Sequence, residues 1–194
     1  MEEMVTNDDD ERRVMSYKMA ILSVVGYDQS HPQHCLDQYL PSAKFQLQTV
    51  VTKNCDFLDN KCSGYTAVSQ ALRVLVVAFR GTKSTQQRIA EFRPIYFNTA
   101  FEDLWQCIEP KVKALVSKNL SYQIWIKGHS LAAALASLAG AWLAYYNIAP
   151  RKNIIFSLLK APELATTNTL CNTISRSTAV GGGLTIYFLI FLHS

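Results

Sequence analysis

Apolar residues at Val14, Tyr17, Ile21, Val24 and Val25 recur at the spacing of one helix face, and Gly26 stands where a C-cap glycine ends such a pattern. The spacing predicts a first helix over residues 13–25. After a proline-bearing loop, Phe45 to Thr52 and Tyr65 to Val68 alternate or run β-branched, and both read as strands. Val74-Leu-Val-Val-Ala-Phe79 is an unbroken apolar run, the pattern of a central strand covered on both faces. Thr99-Ala-Phe-Glu102 has the form of a capping box, so a helix is expected to follow, with Phe101, Leu104, Trp105, Ile108, Val112, Leu115 and Val116 on its apolar face. Pro110 is expected to kink that helix or split it in two. Ser121 to Ile126 alternates as a strand, Leu131 to Ala149 is helix-forming, and Ile154 to Leu158 is a strand again. Strand, helix and strand in that order predict a parallel α/β sheet.

The chain of 194 residues, 49% hydrophobic and 18% charged, is the size of one globular domain. Its net charge of +4 is unevenly spread, because Glu2, Glu3, Asp8, Asp9, Asp10 and Glu11 hold six of the fifteen acids. Residues 1–12 are therefore expected to be a disordered acidic tail, and the body is basic. A basic body suits phosphate or an anionic lipid surface, but the cations are scattered, with no run denser than Arg12-Arg13 or Arg151-Lys152. They read as solubility, and no nucleic-acid partner is expected. Leu131 to Ala149 carries no charge over nineteen residues, which meets the lower length limit for a membrane span. Its alanine content and the strands on either side favour a buried helix, so no transmembrane span is expected. Leu184 to Leu192 is too short to cross.

Cys35, Cys55, Cys62, Cys107 and Cys171 form no pair of zinc-type spacings, and neither metal nor cofactor is expected. His31, His34 and Cys35 read as loop residues, since Pro32 breaks a helix that would align them. Cys55 and Cys62 bracket a turn-rich stretch that a disulfide can staple in an oxidising compartment. The N-terminus has neither the basic nor the apolar region of a signal peptide, so either the protein stays inside the cell or the chain lacks its true start.

The sharpest chemical signal is Trp125-Ile-Lys-Gly-His-Ser-Leu-Ala-Ala133. A serine hydroxyl becomes a nucleophile when a base takes its proton and donors receive the charge that develops on the carbonyl oxygen. A tight strand-to-helix turn serves both needs, lifting the hydroxyl above the sheet and aiming the first helical N–H groups at the oxyanion. Gly128 is in place two residues before Ser130, whereas Ala132 stands where a second glycine would ease the turn. His129, adjacent to the serine, reads as structural or solvent-facing, and Trp105, Trp125 and Trp142 read as core. Upstream, the strand Val74 to Phe79 runs into Arg80-Gly81-Thr82, which can supply a second oxyanion donor.

Phe79-Arg-Gly-Thr82, Phe101-Glu-Asp-Leu-Trp105 and Trp125-Ile-Lys-Gly-His-Ser-Leu131, with the small-residue run to Ala139, resemble the class 3, or fungal-lipase-like, lipases. Cys62-Ser-Gly-Tyr-Thr-Ala67 is similar to the secreted nematode branch. The resemblance runs from about Val14 to Ile155. It implies an α/β-hydrolase fold: a mostly parallel central sheet with helices on both faces, here in a domain over residues 13–160, with residues 161–194 a divergent tail and C-terminal elements missing or replaced. It implies hydrolysis of acylglycerols or related esters through an acyl-enzyme on Ser130, with Thr82 and the N–H of Leu131 as the oxyanion hole. It also implies a lipid or ester substrate, transient contact with a lipid surface, an extracellular location and a lid, although the segment from Thr82 to Phe101 is short for one.

After Ser130 the chain holds one acid, Glu163, and one histidine, His193. Their order matches the fold's triad, but neither follows a family motif, so the acid and base are not assigned. The loss of later strands would leave the strand Ile154 to Leu158 as an unpaired edge. The competing reading is a catalytically inactive lipase-like protein that binds lipid or a partner.

Overall fold

A computed structural model describes residues 7–27, 31–54, 61–80, 96–129, 131–159 and 186–187. Among the described residues there are four α-helices, α1 (Asn7–Val25), α2 (Pro32–Tyr39), α3 (Tyr96–Lys118) and α4 (Leu131–Tyr145). Six strands, β1 (Phe45–Asn54), β2 (Lys61–Ser69), β3 (Val74–Phe79), β4 (Gln123–His129), β5 (Ile154–Leu159) and β6 (Ile186–Tyr187), form one sheet in that order. The sheet is mixed rather than mostly parallel. β1, β2 and β3 pair antiparallel, β3, β4 and β5 pair parallel, and β6 returns antiparallel on β5. Connection length explains the difference. Only Gln70 to Arg73 join β2 to β3, enough for a turn with Arg73 at φ 55 but too short for a crossover. The two parallel steps are the ones that enclose α3 and α4.

β3 shows why the sheet is covered on both sides. Leu75, Val77 and Phe79 pack with Leu104, Ile108, Leu135 and Ala139 of α3 and α4. Val74, Val76 and Ala78 face the other way, into a cluster with Met19, Leu22 and Leu36 of α1 and α2. The unbroken apolar run is thus two alternating faces, each buried. α4 lies close against the strands at Gly140, where an added Cβ would stand 1.9 Å from the Phe156 ring.

Several boundaries differ from the sequence expectations for local reasons. α1 starts at Asn7, inside the segment expected to be a disordered tail. Acids near a helix start oppose its positive dipole end, so Asp8 to Glu11 favour helix there. α3 starts at Tyr96, which puts Thr99 and Glu102 inside the helix and not at its cap. It also continues through Pro110 as one element, with Pro110 and Gln106, whose carbonyl loses its usual donor, both exposed to water. α4 stops at Tyr145, short of Ala149, because Asn147 adopts a left-handed φ of 51. The Ile148 N–H then bonds to the Leu143 carbonyl at 3.0 Å and the Asn147 N–H to the Ala144 carbonyl at 3.4 Å, a Schellman closure. β5 is not a wholly unpaired edge, since Leu158 and Leu159 face Tyr187 and Ile186. Among the described residues no helix is long and apolar enough to cross a membrane.

Candidate active site

A single residue, Ser130, separates the last residue of β4, His129, from the first of α4, Leu131. The parallel strands β3 and β5 flank β4, with Phe79 beside Gly128 and Leu159 beside His129, so the reversal occurs at the carboxyl ends of the central strands. A Cβ built on Gly128 would stand 2.0 Å from the Ala132 carbonyl oxygen, 2.3 Å from its carbon and 2.6 Å from the Ala133 nitrogen. Backbone meets backbone there, and no side chain at position 128 fits without moving the helix off the strand. Ala132 has no exposed surface and belongs to the apolar cluster under α4, so its methyl is part of the core.

The residues predicted to act at this turn are only partly visible. Leu131 opens α4, and the first N–H groups of a helix have no partner within it, which leaves them for an anion. Ser130, Thr82, Glu163 and His193 lie outside the described residues, as does the stretch of the expected lid from residue 81 to residue 95. Cys55 also lies outside them, so its pairing with Cys62 is not described. Cys62 and Cys35 are each disulfide-bonded, and Cys107 is a free, exposed thiol. His34 and Cys35 sit in a helix, contrary to the loop expected there, because Pro32 occupies its first turn, where proline costs nothing.

Two buried cations escaped the sequence reading, which took the basic residues as solvating. Lys127 has no exposed surface, and Arg80 is 4% exposed. Continued alternation gives the signal: Trp125 faces the α1 and α2 cluster, and Lys127, two residues on, shares that side of β4. Burial holds the Lys127 amine well below the usual lysine range. Arg80, directly after β3, donates its backbone N–H to the Ser63 carbonyl at 2.8 Å and lies against Gly26 at the end of α1. On the same side the hydroxyl of buried Tyr65 donates to the Leu22 carbonyl, and burial pushes that phenol up.

Trp105 and Trp125 are buried, as expected for core residues, with Trp105 stacked on Phe101 at 5.4 Å between ring centres. The Trp142 indole reaches outward and donates to Glu109 at 3.0 Å, and Glu109 also holds Lys113 at 2.8 Å. Burial raises the Glu109 carboxyl, but the hydrogen bonds from Lys113 and Trp142 and the Lys113 charge outweigh it, so the group titrates below the usual range.

The family model for lipase (class 3) matches residues 76–158, from within β3 through Ser130 to β5. The chain is 31% identical over 115 residues to Lipase ZK262.3 of Caenorhabditis elegans, a match covering 52% of this chain and 32% of that protein. It is 30% identical over 108 residues to secreted mono- and diacylglycerol lipase A of Penicillium cyclopium, covering 47% of this chain and 35% of that protein. Among solved structures, the lipase from Rhizopus microsporus var. chinensis aligns with a TM-score of 0.63 at 22% identity, over 79% of this chain and 58% of that one. The fold is that of the α/β-hydrolases. The chain spans about a third of the length of the curated relatives it matches.

Proposed function

We propose that the chain is a class 3 lipase-type serine ester hydrolase acting through an acyl-enzyme on Ser130, a reading supported by the family match over residues 76–158. The observation that carries this is the closure of α4 onto β4, where only glycine fits at position 128 and one residue is left to make the turn. A turn that tight has a cost in backbone freedom that an ordinary strand-to-helix connection avoids. A nucleophile held at the helix start gains from it.

In the proposed reaction the Ser130 hydroxyl oxygen attacks the ester carbonyl carbon while its proton passes to a general base, for which His193 is the one histidine that follows the serine in the sequence. The Leu131 N–H and Thr82 receive the charge on the carbonyl oxygen. Collapse expels the alcohol, which takes the proton, and water then releases the acid by the reverse steps. The substrate class is acylglycerol or a related carboxylic ester, as the names of the relatives suggest for those proteins. The disulfides at Cys35 and Cys62 favour an oxidising compartment, in keeping with the secreted relative. Release of fatty acid from mono-, di- and triacylglycerol emulsions tests the reading. Hydrolysis lost in Ser130→Ala supports it; hydrolysis that survives Ser130→Ala, or its absence in the folded wild-type chain, counts against it.

A further inference from the structure

Of the nine asparagines in the chain, one alone starts an Asn-x-Ser/Thr triplet in which x is not proline: Asn119-Leu120-Ser121. The triplet lies in the connection between α3, which ends at Lys118, and β4, which starts at Gln123. Such triplets also arise by chance, and one is open to modification only where the chain presents it at the surface. Here it is presented: Leu120 is 72% exposed, Ser121 is exposed and Asn119 is half-buried. The Tyr122 N–H donates to the Asn119 carbonyl at 2.9 Å, which closes a tight turn with Leu120 and Ser121 at its tip.

The Asn119 side chain keeps a proton to give. The Asn119 backbone N–H bonds to the Val116 carbonyl at 3.0 Å, so the Leu115 carbonyl loses its usual helical donor, and the Asn119 Nδ2 donates to it instead at 2.8 Å. A carboxamide nitrogen carries two protons, and this bond uses one. The Ser121 hydroxyl accepts from the Arg73 guanidinium at 2.6 Å on the exposed side of the same turn. A separate observation concerns the compartment. Cys35 and Cys62 are disulfide-bonded, and disulfides persist in chains that pass through the secretory pathway, where N-linked glycans are attached.

We infer that Asn119 carries an N-linked glycan. In its attachment the Asn119 Nδ2 forms a bond to the anomeric carbon of the N-acetylhexosamine at the reducing end of a lipid-pyrophosphate-linked oligosaccharide. The bond from that carbon to the pyrophosphate oxygen breaks, the lipid pyrophosphate leaves with the electron pair, and one Nδ2 proton passes to a base of the transferase. Ser121 supplies the hydroxyl that the triplet requires. The nitrogen retains its other proton, so the bond to Leu115 can form in the glycosylated chain. β4 runs from Gln123 beside this turn to His129 before Ser130, about 20 Å at the usual strand rise, so the glycan stands clear of Ser130. The inference rests on the oxidising compartment and not on the proposed catalysis.

The full chain, led into the secretory pathway of a eukaryotic host by an added signal sequence, tests it. Cleavage of that signal marks the molecules that have entered, and these are scored from cells and medium together, so neither export nor final folding decides the readout. One gel shift is expected, removed by peptide-N-glycosidase F with conversion of the Asn119 carboxamide to a carboxylate in the peptide mass. Asn119→Gln and Ser121→Ala should each abolish the shift, and Ser121→Thr should keep it. An unshifted wild-type chain after signal cleavage, a shift that persists in Asn119→Gln, or a shift lost in Ser121→Thr would each overturn the inference.

Discussion

The Gly128 α-carbon is packed so closely on the Ala132 carbonyl that a methyl group there would approach the oxygen to 2.0 Å. Nothing flexible can yield, because both partners are backbone. Gly128→Ala should therefore cost more than about 3 kcal/mol of stability, or push α4 off β4 and abolish any activity at Ser130. Urea unfolding of the variant checks this, and a cost under about 1 kcal/mol would show that the turn is looser than described.

Ala132 gives the opposite expectation. Its methyl is wholly buried in the cluster under α4, so removing it forfeits packing. Ala132→Gly should destabilise by about 1 kcal/mol through lost helix propensity and lost burial. A gain in thermal midpoint would mean that the methyl is crowded after all.

Gly140 and Phe156 form a second close approach, with a built Cβ 1.9 Å from the ring. Here the obstacle is the far end of a side chain, which another residue can withdraw. Gly140→Ala should lose about 1–3 kcal/mol, and Phe156→Leu in the same chain should restore part of it. A double-mutant cycle by chemical denaturation measures the coupling, and strict additivity would contradict the contact.

Much of this framework was legible in the sequence because its signals are local. The six apolar residues of β3 could not be a half-exposed strand, and Gly128, Ser130 and the alanine-rich stretch that follows marked a strand-to-helix reversal. The direction of β1 and β2 was less legible: periodicity states which residues share a face but not which way a strand runs, and only the short Gln70 to Arg73 connection hinted at it. Helix ends were missed where a distant or unusual cap decided them, as at Asn147. Lys127 was missed because charge usually signals solvent, and its place in the alternation was outweighed by its type.

Lys127 makes stability depend on pH. Its amine is held below the usual range in the folded chain, so between that lowered value and about 10.4 the unfolded chain binds a proton that the folded chain does not. Stability should accordingly rise with pH across that window, by up to about 1.4 kcal/mol per unit, and fall as pH is lowered towards the folded value. Lys127→Met keeps the volume and removes the titration. Its unfolding free energy between pH 7 and 10 should be flatter than that of the wild-type chain, and an identical slope would show that another group sets the dependence.

The proposed reaction requires that Ser130, just before α4, be an activated nucleophile. Labelling of the purified, folded chain with a fluorophosphonate measures this most directly, because the probe needs an activated serine and no particular substrate. One phosphonylated site is expected, lost in Ser130→Ala and retained in Ser137→Ala on the exposed side of α4. A folded chain that stays unlabelled, or labelling that persists in Ser130→Ala, would contradict it.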